Sequence, residues 1–190
     1  MKKSLFLALC LIAFSSLRLM AETIPATDTR ITYVGRTAVQ GTSVSFDWTA
    51  TYFRITFSGQ SLTMKASDTK RNYYNVWIDS PTSAEPHRVI AVAGNDTVIE
   101  LVDPTFLKKS RRAVHEVIVQ KRTEGEQGTT TIHEFTTLKG TFSASTPLAE
   151  RQLEFIGDSY TCGYGIDAKS RLEKFTPETE NASRSYAAIV

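Results

Sequence analysis

The residues best equipped for chemistry lie late in the chain, in the stretch EFIGDSYTCGYG from Glu154 to Gly165. A serine that follows a short apolar run and opens a helix can carry out acyl transfer. Its side chain points out of the sheet edge, and its own backbone N–H can donate to a developing oxyanion. Ser159 has that setting: Leu153, Phe155 and Ile156 precede it as a predicted strand, and Gly157-Asp158 forms the turn. Gly157 keeps the turn free of a Cβ, and Asp158 can bond locally to hold it. Other glycine-rich motifs do not fit. Thr161 stands where a G-x-S-x-G nucleophile elbow has its second glycine, and no lysine follows Gly163 as a phosphate loop requires.

The elements that must position Ser159 are mostly strands. From Ile31 to Phe142 the pattern alternates: Val44, Phe46 and Trp48 share one face, as do Phe53, Ile55 and Phe57, and Leu62, Met64 and Ala66. Further runs, NYYNVWID, HRVIAVA, TVIELVD, AVHEVIVQKRTE and TIHEFTTL, are separated by breakers such as Ser80-Pro81 and Gly94-Asn95-Asp96. Many short strands without long helices between them predict a mainly β protein, a jelly-roll β-sandwich over 24–146. After the linker-like STPLAERQ the pattern changes, and 151–190 is expected to be the first strand-helix unit of an α/β domain. Asn181 or Ser183 would cap its last helix. About forty residues cannot cover both faces of a parallel sheet, so that domain is expected to be incomplete.

At Gly157-Asp158-Ser159 the sequence resembles the GDSL, or SGNH, hydrolases. The longer string EFIGDSYTCGYG is similar to carbohydrate esterase family 2, the acetyl xylan esterase type with an N-terminal jelly roll. Gly35-Arg36-Thr37, VWID at 76–79, VHEVIVQKRTE at 114–124 and TENASRSYAA at 179–188 extend the likeness. The resemblance implies that Ser159 is the nucleophile of an ester hydrolase removing O-acetyl groups from acetylated polysaccharide of xylan or mannan type. It also implies a glycine and an asparagine as further oxyanion donors and a histidine base, all from positions after Val190. The alternative, from another class, is a stand-alone carbohydrate-binding β-sandwich with a vestigial tail.

His87, His115 and His133 sit in strand-like runs and are expected to be structural. Without a base the serine is a poor nucleophile, and losing the histidine of a serine triad costs on the order of a million-fold in kcat, so this chain alone is expected to be inactive. Cys162 is expected to be a small buried residue under the helix. Core packing is the default for Trp48, Trp77, Tyr73 and Tyr74; were one a sugar platform, the expectation falls on Tyr73 or Tyr74. No His, Cys and acid cluster has ligand spacing, and neither metal nor organic cofactor is expected.

Residues 1–21 read as a signal peptide: Lys2 and Lys3, an apolar run from Leu5 to Leu17, then Ala21 at the cleavage site, which predicts export to the periplasm or medium. The run falls short of the roughly 20 residues a span needs, so no membrane association is expected after cleavage. Leu9 before Cys10 speaks against a lipoprotein box. Lys2, Lys3 and Arg18 would leave with the leader, taking the formal net charge from +2 to about −1. No basic block then argues for nucleic acid, and Lys108, Lys109, Arg111 and Arg112 read as a solvated turn. Cys162 would be the one cysteine left, which excludes an internal disulfide.

Overall fold

The computed structural model describes residues 21–189; the expected leader, apart from Ala21, and Cys10 lie outside them. Ten strands form one curled sheet: β1 (Ala21–Pro25), β2 (Thr32–Val34), β3 (Ala38–Gln40), β4 (Ser43–Phe46), β5 (Tyr52–Phe57), β6 (Leu62–Ile78), β7 (Arg88–Val102), β8 (His115–Lys121), β9 (Thr130–Leu138) and β10 (Phe142–Ser143). All pairings are antiparallel. The short helices are α1 (Pro104–Lys109), α2 (Ser159–Cys162) and α3 (Tyr186–Ile189).

The curl comes from β6. Its first half, Leu62 to Asp68, lies against β9, and its second half, Tyr74 to Ile78, lies against β8. Register shifts at Ala66/Asp68 and Asp68/Arg71 bend the strand between them, and β7 bends alongside at Gly94. An extra residue on one strand of an antiparallel pair kinks it in this way, so one long strand can serve two packed layers. The β10-β5-β8 edge thus faces the β9-β4-β3 edge across the core, as in a jelly roll.

The core is the set that the alternation implies. Phe53, Ile55 and Phe57 of β5 share one buried cluster with Val117 and Val119 of the neighbouring β8 and with Leu62, Met64, Ile132 and Phe135. Phe53 and Phe135 pack edge to face with centroids 5.1 Å apart. Each such side chain contributes roughly 1.5–3 kcal/mol on burial. At α1, the Asp103 carboxylate accepts from the Thr105 N–H (2.7 Å), Pro104 opens the helix, and Lys108 and Lys109 occupy its last turn. That turn favours cations, so the basic cluster expected as a solvated turn begins as a helix end.

Two expectations need correcting. Trp48 is 56% exposed and lies outside the core, because β4 ends at Phe46 and the chain turns through Asp47–Ala50, with Ala50 left-handed (φ 58°). Residues 151–157 are irregular and form no strand. Leu153 and Ile156 are apolar enough for one, but no neighbouring strand among the described residues offers them a ladder, and an unpaired strand has no partner for its backbone groups.

Candidate active site

Ser159 opens α2. Asp158 is the N-cap, its carboxylate accepting from the Tyr160 N–H (3.1 Å), and Gly163 ends the helix in the left-handed region (φ 71°). A Cβ on Gly157 would lie 2.0 Å from Thr161 Oγ1, so only glycine lets the chain enter α2 this tightly. Ser159 itself is exposed, and its N–H is the first of the helix, among those without an intrahelical acceptor. Below it Cys162 is buried, as expected, and its thiol donates to the Ser159 carbonyl (3.3 Å).

This turn is fixed to the β-domain through polar residues of β6 and the KRTE segment. Arg122, 5% exposed, donates from Nη1 to Asn75 Oδ1 (2.9 Å) on β6. It also donates from Nε to the Glu180 carbonyl (3.1 Å) and from Nη2 to Asp167 Oδ2 (2.6 Å) and the Glu178 carbonyl (3.1 Å). Asn75 Nδ2 donates to Asn181 Oδ1 (3.0 Å) and Ser183 Oγ (2.9 Å), and the Tyr73 hydroxyl donates to the Glu178 carboxylate. The outward side chains of β6, which a solvated sheet would leave wet, are covered by residues 178–183. Burial would raise the Asp167 carboxyl, yet bonds from Asn181, Arg184 and Arg122 outweigh it and hold it below the usual carboxylate range.

Beneath α2 sit three more ionisable side chains. Lys121, fully buried, donates from Nζ to the Thr123 carbonyl (2.6 Å) and the Glu124 carbonyl (3.0 Å). Burial pushes its ammonium down to about 8, with Glu180 foremost among the carboxylates that pull it back up. Glu180, also fully buried, takes the Glu124 N–H on Oε1 (2.8 Å), while Oε2 has no hydrogen-bond partner among the described residues. Burial raises the Glu180 carboxyl to about 7, and burial pushes the Cys162 thiol up to about 12. Donor atoms of Glu124, Cys162 and Glu180 lie within 4.8 Å of one another, a grouping that spacing along the chain does not reveal. The Cys162 sulfur is engaged by the Ser159 carbonyl and the Glu180 carboxylate by the Glu124 N–H, so the group reads as a buried support for the turn above it.

The histidines are engaged elsewhere. His115 Nδ1 pairs with Asp79 Oδ2 (2.7 Å), His133 lies between Ser43 Oγ (3.0 Å) and Ser67 Oγ (2.8 Å), and His87 Nδ1 accepts from the Ile78 N–H (3.3 Å). None is bonded to Ser159. Tyr73 and Tyr74 are both buried, the second bonded to Thr130, so neither presents a platform. Trp77 is core, its indole N–H donating to the Ala84 carbonyl (2.8 Å). What the sequence reading missed is the role of Arg122, Lys121, Asp167 and Glu180. The available signal was a run of charged and polar residues, KRTE, continuing an apolar strand without a turn.

Residues 33–147 match the family "Carbohydrate esterase 2 N-terminal", and the chain belongs to that family. It is 29% identical over 142 residues to the cellulase/esterase CelE of Acetivibrio thermocellus, covering 75% of this chain and 16% of that protein. It is 33% identical over 135 residues to an acetylxylan esterase / glucomannan deacetylase of Cellvibrio japonicus, covering 70% and 34%. The structure of a family two carbohydrate esterase from Clostridium thermocellum in complex with cellohexaose superposes with a TM-score of 0.75 at 28% identity, covering 84% of this chain and 46% of that one. The chain therefore spans less than half the length of each of these relatives. No helix of the described residues is long and apolar enough to cross a membrane.

Proposed function

We propose that this chain is the amino-terminal part of an exported carbohydrate esterase of SGNH type. A signal peptide (1–21) precedes a jelly-roll domain (24–146) and the start of the catalytic domain (151–190). In the parent enzyme Ser159 attacks the carbonyl of an acetyl ester on a xylan- or mannan-type polysaccharide. The tetrahedral oxyanion is stabilised by the Ser159 N–H together with donors from the rest of the catalytic domain; its collapse breaks the bond to the sugar oxygen, which leaves as the protonated hydroxyl, and water then releases acetate from the acyl-enzyme. A histidine of that remaining part serves as the base.

The observation that carries this reading is Ser159 itself: an exposed residue at the first helical position, capped by Asp158 and clamped from below through Cys162. The apolar surface around it adds support. Leu153, Ile156, Tyr160 and Ile189 are each at least 75% exposed, a set that further catalytic-domain residues would cover, as expected when this chain covers less than half of its relatives. The test is hydrolysis of p-nitrophenyl acetate and acetylated xylan by the parent enzyme and its S159A variant. Loss of turnover in S159A, and none from the 190-residue chain, is expected. Undiminished hydrolysis by S159A would overturn the assignment.

A further inference from the structure

We propose that Trp48 is a sugar-stacking platform, binding a pyranose ring of a neutral β-linked polysaccharide beside the Ser159 turn; the choice of ligand rests on the esterase reading above. The alternation that buries Val44 and Phe46 would bury Trp48 as well, yet the turn at Asp47–Ala50 brings the indole out to 56% exposure, while the other tryptophan, Trp77, is 1% exposed. An aromatic ring left open where the strand pattern would hide it, with an apolar face and an indole N–H, is suited to contact a ligand.

The ring is also held in place. The Arg36 guanidinium lies 5.1 Å from the Trp48 ring centroid, and Arg36 is fixed in turn by Nε (3.0 Å) and Nη2 (2.9 Å) to Glu154 Oε1. Gly35 allows this approach: its φ is +114°, and a Cβ there would lie 2.7 Å from Thr51 Oγ1. Trp48 borders an open depression of about 260 Å³ whose rim includes Arg36, Thr37, Asp47 and Thr129. A rigid apolar face with a few polar groups converging beside it suits a sugar, whose C–H face stacks while its hydroxyls bond. The charge on Arg36 is already answered by Glu154, which disfavours an anionic ligand, and Arg36 already takes the position a cationic one would seek.

Two links place this depression next to the candidate nucleophile. Glu154 lies five residues before Ser159, so the chain between them spans at most about 17 Å. The turn after Trp48 also shares an acceptor with the docked segment: the Arg122 carbonyl accepts from Thr49 Oγ1 (3.3 Å) and from the Ala182 N–H (3.2 Å). A polysaccharide stacked on Trp48 would run beside Ser159 over the length of an oligosaccharide.

With two tryptophans in the chain, one buried, fluorescence isolates the site. The 190-residue chain is titrated with xylo-, manno- and cellohexaose while emission and iodide quenching are followed. At least one hexasaccharide is expected to shift the Trp48 emission to the blue and protect it from iodide, saturably and at millimolar concentration or below. In W48A, calorimetric affinity for that sugar should fall about tenfold or more, with W48F intermediate, the loss expected of an aromatic anchor. The buried Trp77 emission reports whether each variant is folded. No response from Trp48 to any of the three sugars, or equal affinity in folded W48A, would overturn the platform. The titration needs no ester hydrolysis, so its failure removes the platform alone, whereas an S159A enzyme that still hydrolyses acetate esters removes the esterase reading alone.

Discussion

Arg122 Nη2 and Asp167 Oδ2 stand 2.6 Å apart, joining the end of β8 to the loop that follows the Ser159 helix. The guanidinium has three further bonds, so it meets the planar-fork requirement that lysine cannot satisfy. Removing it with R122A leaves the Asn75 side-chain oxygen, the Asp167 carboxylate and two backbone carbonyls each short of a donor. A loss of about 1–3 kcal/mol is expected, because buried acceptors go unsatisfied while Arg184 and Asn181 still hold the Asp167 carboxylate. Hydrogen exchange of the amides of 178–185 should rise towards that of a loosely held segment. R122K should recover only part of the protection, and unchanged exchange in R122A would contradict the clamp.

Ionisation beneath α2 predicts a pH signature. The Glu180 carboxyl is raised from 4.5 to about 7, so its contribution to stability is complete below about pH 4.5 and is lost as the pH climbs through 7. Lys121 is lowered from 10.5 to about 8, so its contribution is complete above 10.5 and is lost as the pH falls through 8. Glu180 alone should make the chain less stable at pH 8 than at pH 5 by an amount on the order of 3 kcal/mol. E180Q, which does not titrate, should flatten that part of the slope whatever constant cost it adds. Denaturant unfolding of both proteins at the two pH values checks this.

Gly157 predicts a local packing defect. In G157A the added Cβ would lie 2.0 Å from Thr161 Oγ1, and destabilisation of about 1–3 kcal/mol is expected. The double variant G157A/T161A removes the clashing oxygen and should recover part of the loss. Thermal melting of the three proteins is the measurement, and additive losses would argue against the clash.

S159A separates fold from chemistry. The residue is exposed, so the change should alter stability by no more than about 0.5 kcal/mol while abolishing ester hydrolysis in the parent enzyme. By contrast F53A, fully buried against Phe135, should cost about 3–5 kcal/mol.

The strands were legible because each side chain along them faces one of two environments, and Phe53, Ile55 and Phe57 simply mark every second position. The turn at Gly157-Asp158-Ser159 was legible because its geometry is local. Alternation does not say where a strand stops, which is why Trp48 was assigned to the core. Apolar character does not supply a neighbour to pair with, which is why 153–156 read as a strand. The Arg122 clamp was hidden for another reason. Its partners, Asn75, Asp167, Glu178 and Glu180, lie between 45 and 58 residues away, and only folding brings them together.

The second half of β6 has no wet side, with Tyr73, Asn75 and Trp77 covered as fully as Tyr74 and Val76. The jelly roll is therefore not a portable cassette. A gene fusion joined at Pro147 would strip the cover from Asn75 and Arg122 and ask water to replace it. A junction beyond Ser185 would carry the cover along, and substitutions in Tyr73 or Asn75 should be inherited together with changes at 178–183.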